Sequence, residues 1–224
     1  MFEFVELSRI RNKNRGILRK PSGTRPVLWR IEENGIRAVV KDFSHNRFLF
    51  RNIIGRFLVW RESRAYRQLT GIEGIPLLYR NVKGIALIIQ EIPGKDLESL
   101  GKGTTLPESF FRELTVLVDR MHKRGIVHCD LKRAPNIILG EDGRPYIVDW
   151  SASISAREFP FYPLSLIYRR FIRDDRNAIT KIRLKYLPES VGPEEKRRYL
   201  HRNRSEKAIR ALRDKARELL QKIA

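Results

Sequence analysis

Four polar residues near the middle of the chain have the types and spacing that phosphoryl transfer requires. An apolar run leads into His128 and Asp130, and Asn136 follows. A second short apolar run, Ile147-Val148, leads to Asp149. In transfer of a phosphoryl group from Mg·ATP, one carboxylate meets the acceptor hydroxyl, while an amide and a second carboxylate hold the metal. The pattern therefore predicts Asp130 as the catalytic base and Asn136 and Asp149 as metal ligands.

The order His-x-Asp-Leu-Lys, then Asn, then Asp resembles the protein-kinase-like superfamily. It is most similar to the small, atypical bacterial branch that includes RIO-like kinases and lipopolysaccharide core sugar kinases. The resemblance covers roughly residues 15–190. It implies an α+β, two-lobed kinase-like fold, with ATP and Mg²⁺ as cofactors. An N-terminal lobe of antiparallel sheet plus one helix would span residues 1–92, and a mostly helical C-terminal lobe residues 93–224.

The predicted catalytic loop departs from the superfamily pattern in its length. Lys132 follows Asp130 by two residues, as in kinases that act on Ser or Thr, and its ammonium can offset charge on the transferring phosphoryl group. The alternative is one more surface lysine. Asn136 comes one position later than usual, so either the loop bulges and still delivers the amide to the metal, or Asn136 caps a turn. Because the loop holds no Asn or Asp besides Asp130 and Asn136, we expect the metal role.

Two further residues are candidates for holding the phosphates of ATP. Lys41 ends the run Ala38-Val39-Val40, which resembles the superfamily's Val-Ala-Ile-Lys strand, so its ammonium is expected to pair with the α- and β-phosphates. Glu62 falls on the apolar face of a helix predicted from about Phe48 to Leu69, where a carboxylate needs a cation. We expect Lys41 to be that cation, and an exposed Glu62 paired with Arg61 or Arg64 is the alternative.

The nucleotide-covering loop and the hinge carry weaker signals. The chain has no Gly-x-Gly-x-x-Gly motif. The best candidate for the loop is the segment from Lys20 to Arg25, in which Ser22, Gly23 and backbone N–H groups could contact phosphate. Glu91 and Ile92 are expected at the hinge, meeting the adenine edge through backbone groups.

Turn residues and apolar spacing predict the elements that must position these side chains. Asn34-Gly35 is a strong hairpin signal, and Lys83-Gly84 marks a second turn. Pro107 opens a helix that Gly125 ends, with Phe111, Leu114, Val118 and Met121 on one stripe. The predicted strands are 27–31, 36–41, 75–80, 85–92, 137–139 and 146–148. Helices are predicted from 107 to about 123, from 164 onward, and from 194 to 223.

The formal charge of +20, from 46 basic and 26 acidic residues, predicts attraction to polyanions. Nucleic acid, an anionic membrane face and phosphorylated substrates all fit, and a solvated basic surface is the alternative. The single cysteine fits a reducing cytosol, and the N-terminus does not resemble a signal peptide. A cytoplasmic protein is expected, soluble or peripheral at the inner membrane face.

The acceptor of the phosphoryl group is the open question. No Ala-Pro-Glu follows Asp149, and only a short segment separates it from Leu164, so the usual peptide-docking platform is not expected. The first choice is Ser or Thr of a protein, and the second is a hydroxyl of a lipopolysaccharide core sugar or another anionic small molecule. A catalytically weak, kinase-shaped module that binds RNA or a ribosome is a third. The charged segments 173–176 and 181–186 fit a solvated helix face or substrate docking equally well.

Overall fold

The structure is a computed structural model that describes residues 16–20, 22–101 and 103–200. Of these, residues 16–63 and 77–91 form one compact unit, and residues 64–76 and 92–200 form a second. The predicted α+β class is confirmed. The predicted helix 194–223 begins with an observed helix, and the rest of it lies outside the described residues.

A five-stranded antiparallel sheet forms most of the first unit. Its strands are β1 (Ile17–Arg19), β2 (Val27–Glu33), β3 (Ile36–Asp42), β4 (Leu78–Val82) and β5 (Ala86–Gln90). They are arranged in the order β1-β2-β3-β5-β4, and every neighbouring pair is antiparallel. The two predicted strand pairs are therefore confirmed, and β1 is an addition.

Residues in the left-handed backbone conformation form the turns that fix the register of this sheet. Asn34 (φ 53°) and Gly35 (φ 76°) join β2 to β3, as a two-residue hairpin requires. The resulting register sets Lys41 opposite Leu28. Lys83 (φ 52°) and Gly84 (φ 69°) turn the chain between β4 and β5. Both turns were predicted from residue type alone.

Alternation along the strands separates a buried face of the sheet from the face that carries Lys41. The buried cluster consists of small and branched apolar side chains: Ile31, Ala38, Val40, Val82, Ala86 and Ile88. Since successive side chains of a strand point to opposite faces, Val39 and Lys41 lie on the other face. The sheet thus presents Lys41 on the side away from this apolar cluster.

The predicted helix from Phe48 to Leu69 is not regular. A π-helical segment, Phe50–Gly55, precedes the α-helix α1 (Arg56–Gln68). Phe50 and Gly55 are both buried, and a Cβ on Gly55 would lie 3.2 Å from the Cβ of Phe43. A π turn places residues five apart on the same side, so the wider turn brings both residues against Phe43.

The second unit combines helices with two small sheets. Its helices are α2 (Glu108–Lys123), α3 (Leu164–Tyr186) and α4 (Pro193–Leu200). Its strands are β6 (Gly94–Asp96), β7 (Ile126–Val127), β8 (Ile137–Gly140), β9 (Pro145–Ile147) and β10 (Ile154–Ser155). One antiparallel sheet has the order β6-β8-β9, and a second pairs β7 with β10.

Helix α2 supplies much of the apolar core of the second unit. Pro107 precedes it and Gly125, with φ 75°, follows it, so both predicted ends are confirmed. Its buried side chains include the predicted stripe: Phe110, Phe111, Leu114, Leu117, Val118 and Met121. In the described part of the chain, no helix is both long and apolar enough to cross a bilayer.

Candidate active site

The predicted catalytic loop joins β7 to β8 and is closed by its own backbone. Arg133 N–H donates to the carbonyl of Asp130 (3.2 Å), and Asn136 N–H donates to the carbonyl of Arg133 (3.0 Å). Cys129 adopts a left-handed conformation with φ 67°, which is uncommon for a residue with a Cβ. The carboxylate of Asp130 is left 24% exposed, with Arg133 Nη1 lying 3.4 Å from its Oδ2.

The side chain of Asn136 forms a hydrogen bond across the predicted catalytic loop, which is one residue longer than the superfamily pattern. Its Nδ2 donates to the carbonyl of Asp130 at 2.9 Å, and the residue is only 4% exposed. The two alternatives for Asn136 are therefore compatible. The NH₂ group donates the hydrogen bond that closes the loop, while Oδ1 of the same amide is the atom that would coordinate a cation.

Strand pairing brings Asp149 next to Asn136. Ile137 in β8 pairs with Ile147 in β9, and Val148 N–H donates to the carbonyl of Asn136 at 3.0 Å. Asp149, the next residue, has φ 64° and accepts a hydrogen bond from Ser151 Oγ at 2.8 Å. A left-handed non-glycine residue is a strained conformation of the kind that is concentrated at functional sites.

His128 connects the loop to Val148, the residue that precedes Asp149. Its Nε2 lies 3.0 Å from the carbonyl of Val148, and its Nδ1 lies 3.3 Å from the N–H of Asp130. A neutral imidazole protonated at Nε2 satisfies both contacts, because that tautomer donates at Nε2 and accepts at Nδ1. The buried ring packs against Trp150 with centroids 4.8 Å apart. His128 therefore positions the loop.

Asp175 on α3 is the residue that sequence reasoning missed. Its carboxylate is 1% exposed and accepts hydrogen bonds from the backbone N–H groups of His128 (2.8 Å) and Cys129 (3.1 Å). His122 Nε2 lies 3.2 Å from the same carboxylate. The interpretation of residues 173–176 as a solvated face or a docking surface is wrong for Asp175. Its place in the buried stripe of α3 with Ala178, Ile179 and Ile182 was the available signal.

Helix α3 makes one further contact with the loop, and its Tyr168 responds to nearby charge. Lys181 Nζ donates to the carbonyl of Lys132 at 3.2 Å. Burial raises the pKa of the Tyr168 phenol, and the nearby charges of Asp175 and Cys129 raise this pKa further. Since α3 contacts the loop at several points, it is a support for the loop and not only a basic surface.

In the first unit, the predicted ion pair between Lys41 and Glu62 is present. Lys41 Nζ lies 2.6 Å from Glu62 Oε2, and the two side chains are 9% and 1% exposed. Of the alternative partners, Arg64 lies 3.3 Å from Glu158. A buried ammonium fixed by a carboxylate is a rigid cation, which suits the binding of phosphate oxygens.

Apolar side chains flank Lys41 on its face of the sheet. Lys41 lies between Leu28 on β2 and Leu87 on β5, and Val39 lies opposite Ile89. Leu28 and Val39 are only half-buried. Sequence reasoning did not single out this surface, although the strand alternation that places Lys41 also places these side chains.

The predicted phosphate loop joins β1 to β2. Ser22 and Arg25 pair through their backbones, and Gly23 has φ 35°. The buried side chain of Asn46 donates from Nδ2 to the carbonyls of Gly23 (2.6 Å) and Arg25 (3.2 Å). Pro21 lies outside the described residues. Asn46 therefore anchors a loop whose Ser22 and Gly23 are exposed.

At the predicted hinge, one backbone group is already engaged. Glu91 N–H donates to the carbonyl of Arg37 at 3.3 Å, and the Glu91 carboxylate lies 2.7 Å from Arg30 Nη2. Contact between adenine and the Glu91 N–H is therefore not expected. The Glu91 carbonyl and the backbone of Ile92 remain for that predicted contact.

No protein-family model matches this chain, and no curated protein is significantly similar to it. Among the described residues, no group of three or more His, Cys, Asp and Glu side chains is placed to hold a metal ion. Asn136 and Asp149 offer two side-chain oxygen ligands, which fits Mg²⁺, since this ion commonly binds through one or two carboxylates together with substrate phosphates.

Proposed function

We propose that the chain is an ATP-dependent phosphotransferase with a two-lobed, kinase-like fold, most favourably a RIO-like Ser/Thr protein kinase. The observation that carries the proposal is the pair of hydrogen bonds made by Asn136. One joins its side chain to the carbonyl of Asp130 (2.9 Å), and the other joins its carbonyl to Val148 N–H (3.0 Å), next to Asp149. A base, an amide and a second carboxylate are thereby held together.

In this proposal Asp130 acts on the acceptor hydroxyl. The hydroxyl oxygen attacks the γ-phosphorus, the bond from that phosphorus to the β–γ bridging oxygen breaks, and ADP leaves. The hydroxyl proton passes to the Asp130 carboxylate. Partial exposure of this carboxylate allows a substrate hydroxyl to reach it. The ammonium of Lys132 would offset negative charge on the transferring group.

The remaining residues bind and orient the nucleotide. The Asn136 amide oxygen and the Asp149 carboxylate would hold the Mg²⁺ that accompanies ATP, and the metal would neutralise charge on the phosphates. Lys41, fixed by Glu62, would pair with phosphate oxygens. The half-buried surface of Leu28 and Val39 offers an apolar support for the adenine ring.

One observation favours the alternative acceptor, a sugar hydroxyl of a lipopolysaccharide core or another anionic small molecule. The segment between Asp149 and α3 is short and occupied by regular structure. It contains two 3₁₀ turns, Trp150–Ala152 and Ala156–Glu158, with β10 between them. This leaves little chain to form an extended platform for a peptide.

Transfer of label from γ-labelled ATP with Mg²⁺ into a heat-inactivated cell extract tests the proposal. Protein, lipid-sugar and small-molecule fractions are counted separately, with Asp149→Asn as the inactive variant. Asp119→Asn is the matched control, since that carboxylate is 45% exposed and pairs with Arg176 on the surface. Label in protein that is lost only in Asp149→Asn supports a protein kinase, and label in the lipid-sugar fraction supports the alternative. Absence of variant-sensitive label would leave an RNA- or ribosome-binding module as the better account.

A further inference from the structure

An exposed apolar stripe runs along the helical segment that starts at Phe48, within the first unit. It consists of five large side chains that are each about half exposed or more: Phe48 (73%), Leu49 (52%), Ile53 (61%), Phe57 (49%) and Trp60 (52%). Soluble surfaces carry isolated apolar residues routinely, but contiguous exposed apolar patches mark interaction sites.

The helix geometry makes these side chains one surface. Leu49, Ile53, Phe57 and Trp60 follow one another at helical spacings of four, four and three residues. The rings of Phe57 and Trp60 are in contact, with centroids 5.9 Å apart. The π-helical segment turns Phe50 and Gly55 inward and leaves Ile53 exposed.

Arginines border the apolar stripe. They stand at positions 47, 51, 56 and 61, and no Asp or Glu occurs between Phe43 and Arg61. The guanidinium of Arg51 lies 5.5 Å from the centroid of the Phe48 ring, and that of Arg61 lies 5.2 Å from the centroid of the Phe57 ring. The stripe is therefore apolar at its centre and positive at its edges.

We propose that this arginine-aromatic stripe, residues 47–61, docks on the headgroup region of an anionic lipid bilayer. Interfacial helices combine Trp, Phe and Leu on one face with Lys or Arg beside it, and aromatic rings settle at headgroup level. Each basic residue near an anionic surface contributes about fivefold in affinity. The docking depends on this surface alone and does not rest on the proposed phosphoryl transfer.

Other possible partners complement the stripe less completely, because it has both an apolar centre and positive edges. A nucleic acid would use the arginines and stack bases on the aromatic rings, but it offers no apolar medium for Leu49 and Ile53. A second copy of the chain, in a two-fold symmetric contact, would bring the arginine border against its own copy. A bilayer with anionic headgroups accommodates both the apolar centre and the positive edges.

Tryptophan fluorescence of the full chain with lipid vesicles tests the proposal. Of the three tryptophans, Trp150 is fully buried and Trp29 is partly buried, so a change on docking comes from Trp60. Vesicles of phosphatidylcholine containing phosphatidylglycerol are expected to shift the emission to shorter wavelength and to sediment the protein. Both effects are expected to weaken as salt is raised.

Four variants separate the contributions of individual residues. Trp60→Phe is expected to remove the fluorescence shift and keep the sedimentation, and Ile53→Ser with Phe57→Ser is expected to lose both. Arg51→Gln and Arg61→Gln are each expected to lower vesicle affinity about fivefold. Val116→Ser is the matched control, since Val116 on α2 is 48% exposed and lies outside the stripe. This control is expected to bind as the parent does.

Four outcomes would overturn the proposal. One is equal binding to vesicles of phosphatidylcholine alone, and another is a shift with single-stranded RNA but none with vesicles. A third is short-wavelength Trp60 emission in buffer that vesicles leave unchanged, which would mean that another part of the chain covers the stripe. The fourth is self-association without lipid that the Ile53→Ser, Phe57→Ser variant abolishes.

Discussion

At the scale of single residues, Asp130 lies among contacts that restrict where its carboxylate can be. Its N–H is held by His128 Nδ1, its carbonyl accepts from Asn136 Nδ2, and its Oδ2 lies near Arg133. Preorganisation of this kind is what a general base requires, since the base must be within hydrogen-bond reach of the proton it takes. In the proposed reaction these contacts would hold Asp130 in place for a substrate hydroxyl.

Asp130→Asn is expected to lower kcat for phosphoryl transfer by about 10²–10⁴-fold, because the amide keeps the shape but cannot accept the proton. The affinity for Mg·ATP is expected to change little, since Asp130 acts on the acceptor. Initial rates and nucleotide binding by the purified variant measure the two effects. A variant that keeps most of the parent rate would exclude Asp130 as the base.

Lys41 and Glu62 form a buried ion pair in which each residue neutralises the charge of the other. Lys41→Met would leave the Glu62 carboxylate buried without its ammonium, which costs about 3–5 kcal/mol in comparable buried pairs. Replacing both residues, as Lys41→Met with Glu62→Leu, is expected to restore much of this loss because no buried charge remains. Urea unfolding measures both variants. Equal stability of the single and double variants would show that the pair is not coupled.

At the scale of elements, α3 supports the predicted catalytic loop through Asp175, whose carboxylate accepts two backbone N–H groups of the loop. Asp175 accepts the N–H groups of His128 and Cys129, whereas its neighbour Asp174 is 36% exposed and pairs with Arg170 at 3.4 Å. Adjacent carboxylates on one helix therefore have different roles. The difference comes from the helical period, which turns Asp175 inward with Ala178 and Ile182.

Asp175→Asn is expected to lower the free energy of unfolding by about 1.5–3 kcal/mol, because an amide replaces one of the two accepting oxygens with a donor. It is also expected to lower kcat more than it changes KM for ATP, since the loop loses its position. Asp174→Asn is the matched control and should change stability by no more than about 0.5 kcal/mol. Similar effects of the two substitutions would contradict a specific support by Asp175.

The loop between β1 and β2, which is the predicted phosphate loop, is anchored by Asn46. Asn46→Ala removes two hydrogen bonds to the carbonyls of Gly23 and Arg25, each worth about 0.5–1.5 kcal/mol, and is expected to raise KM for ATP more than it lowers kcat. Asn52→Ala is the control, because the Asn52 amide donates to the nearby carbonyl of Phe48, outside the loop between β1 and β2. A KM that is unchanged in Asn46→Ala would exclude this loop from phosphate binding.

The elements that the sequence predicted share a local cause. Asn34-Gly35, Lys83-Gly84 and Pro107 act through the backbone conformations of their own residue types, so the hairpins and the start of α2 could be placed without tertiary information. The π-helical segment could not, because it depends on how Phe50 and Gly55 pack against Phe43. That contact belongs to the folded chain.

At the scale of the whole molecule, a contact between residues far apart in the chain could be predicted where the sequence pattern pointed to both residues. The Lys41–Glu62 contact was predicted because Lys41 ends a run that resembles the superfamily's lysine strand, and Glu62 falls on the apolar face of a helix, where a carboxylate needs a cation. Asp175 contacts a residue 47 positions earlier in the chain, and no motif indicated that contact. Its position within the charged segment 173–176 also concealed its burial. An acid within an apolar helical stripe indicates a buried carboxylate in both helices, Glu62 in α1 and Asp175 in α3.

The strong positive charge of the chain has two proposed uses. Lys41 and Lys132 account for little of the +20, whereas the arginine-aromatic stripe concentrates four arginines within residues 47–61. The proposed lipid docking and the proposed phosphoryl transfer involve different residues. The two functions can therefore be separated by substitution.

Calorimetric titration of the purified chain with ATP, in Mg²⁺ and then in EDTA, measures whether nucleotide binding depends on the metal and on Asp149. We expect binding in Mg²⁺ that is strongly weakened by EDTA and by Asp149→Asn, with Asp119→Asn binding as the parent does. Absence of binding in Mg²⁺, or binding that is indifferent to both the metal and Asp149, would contradict the assignment of this chain as an ATP-dependent phosphotransferase.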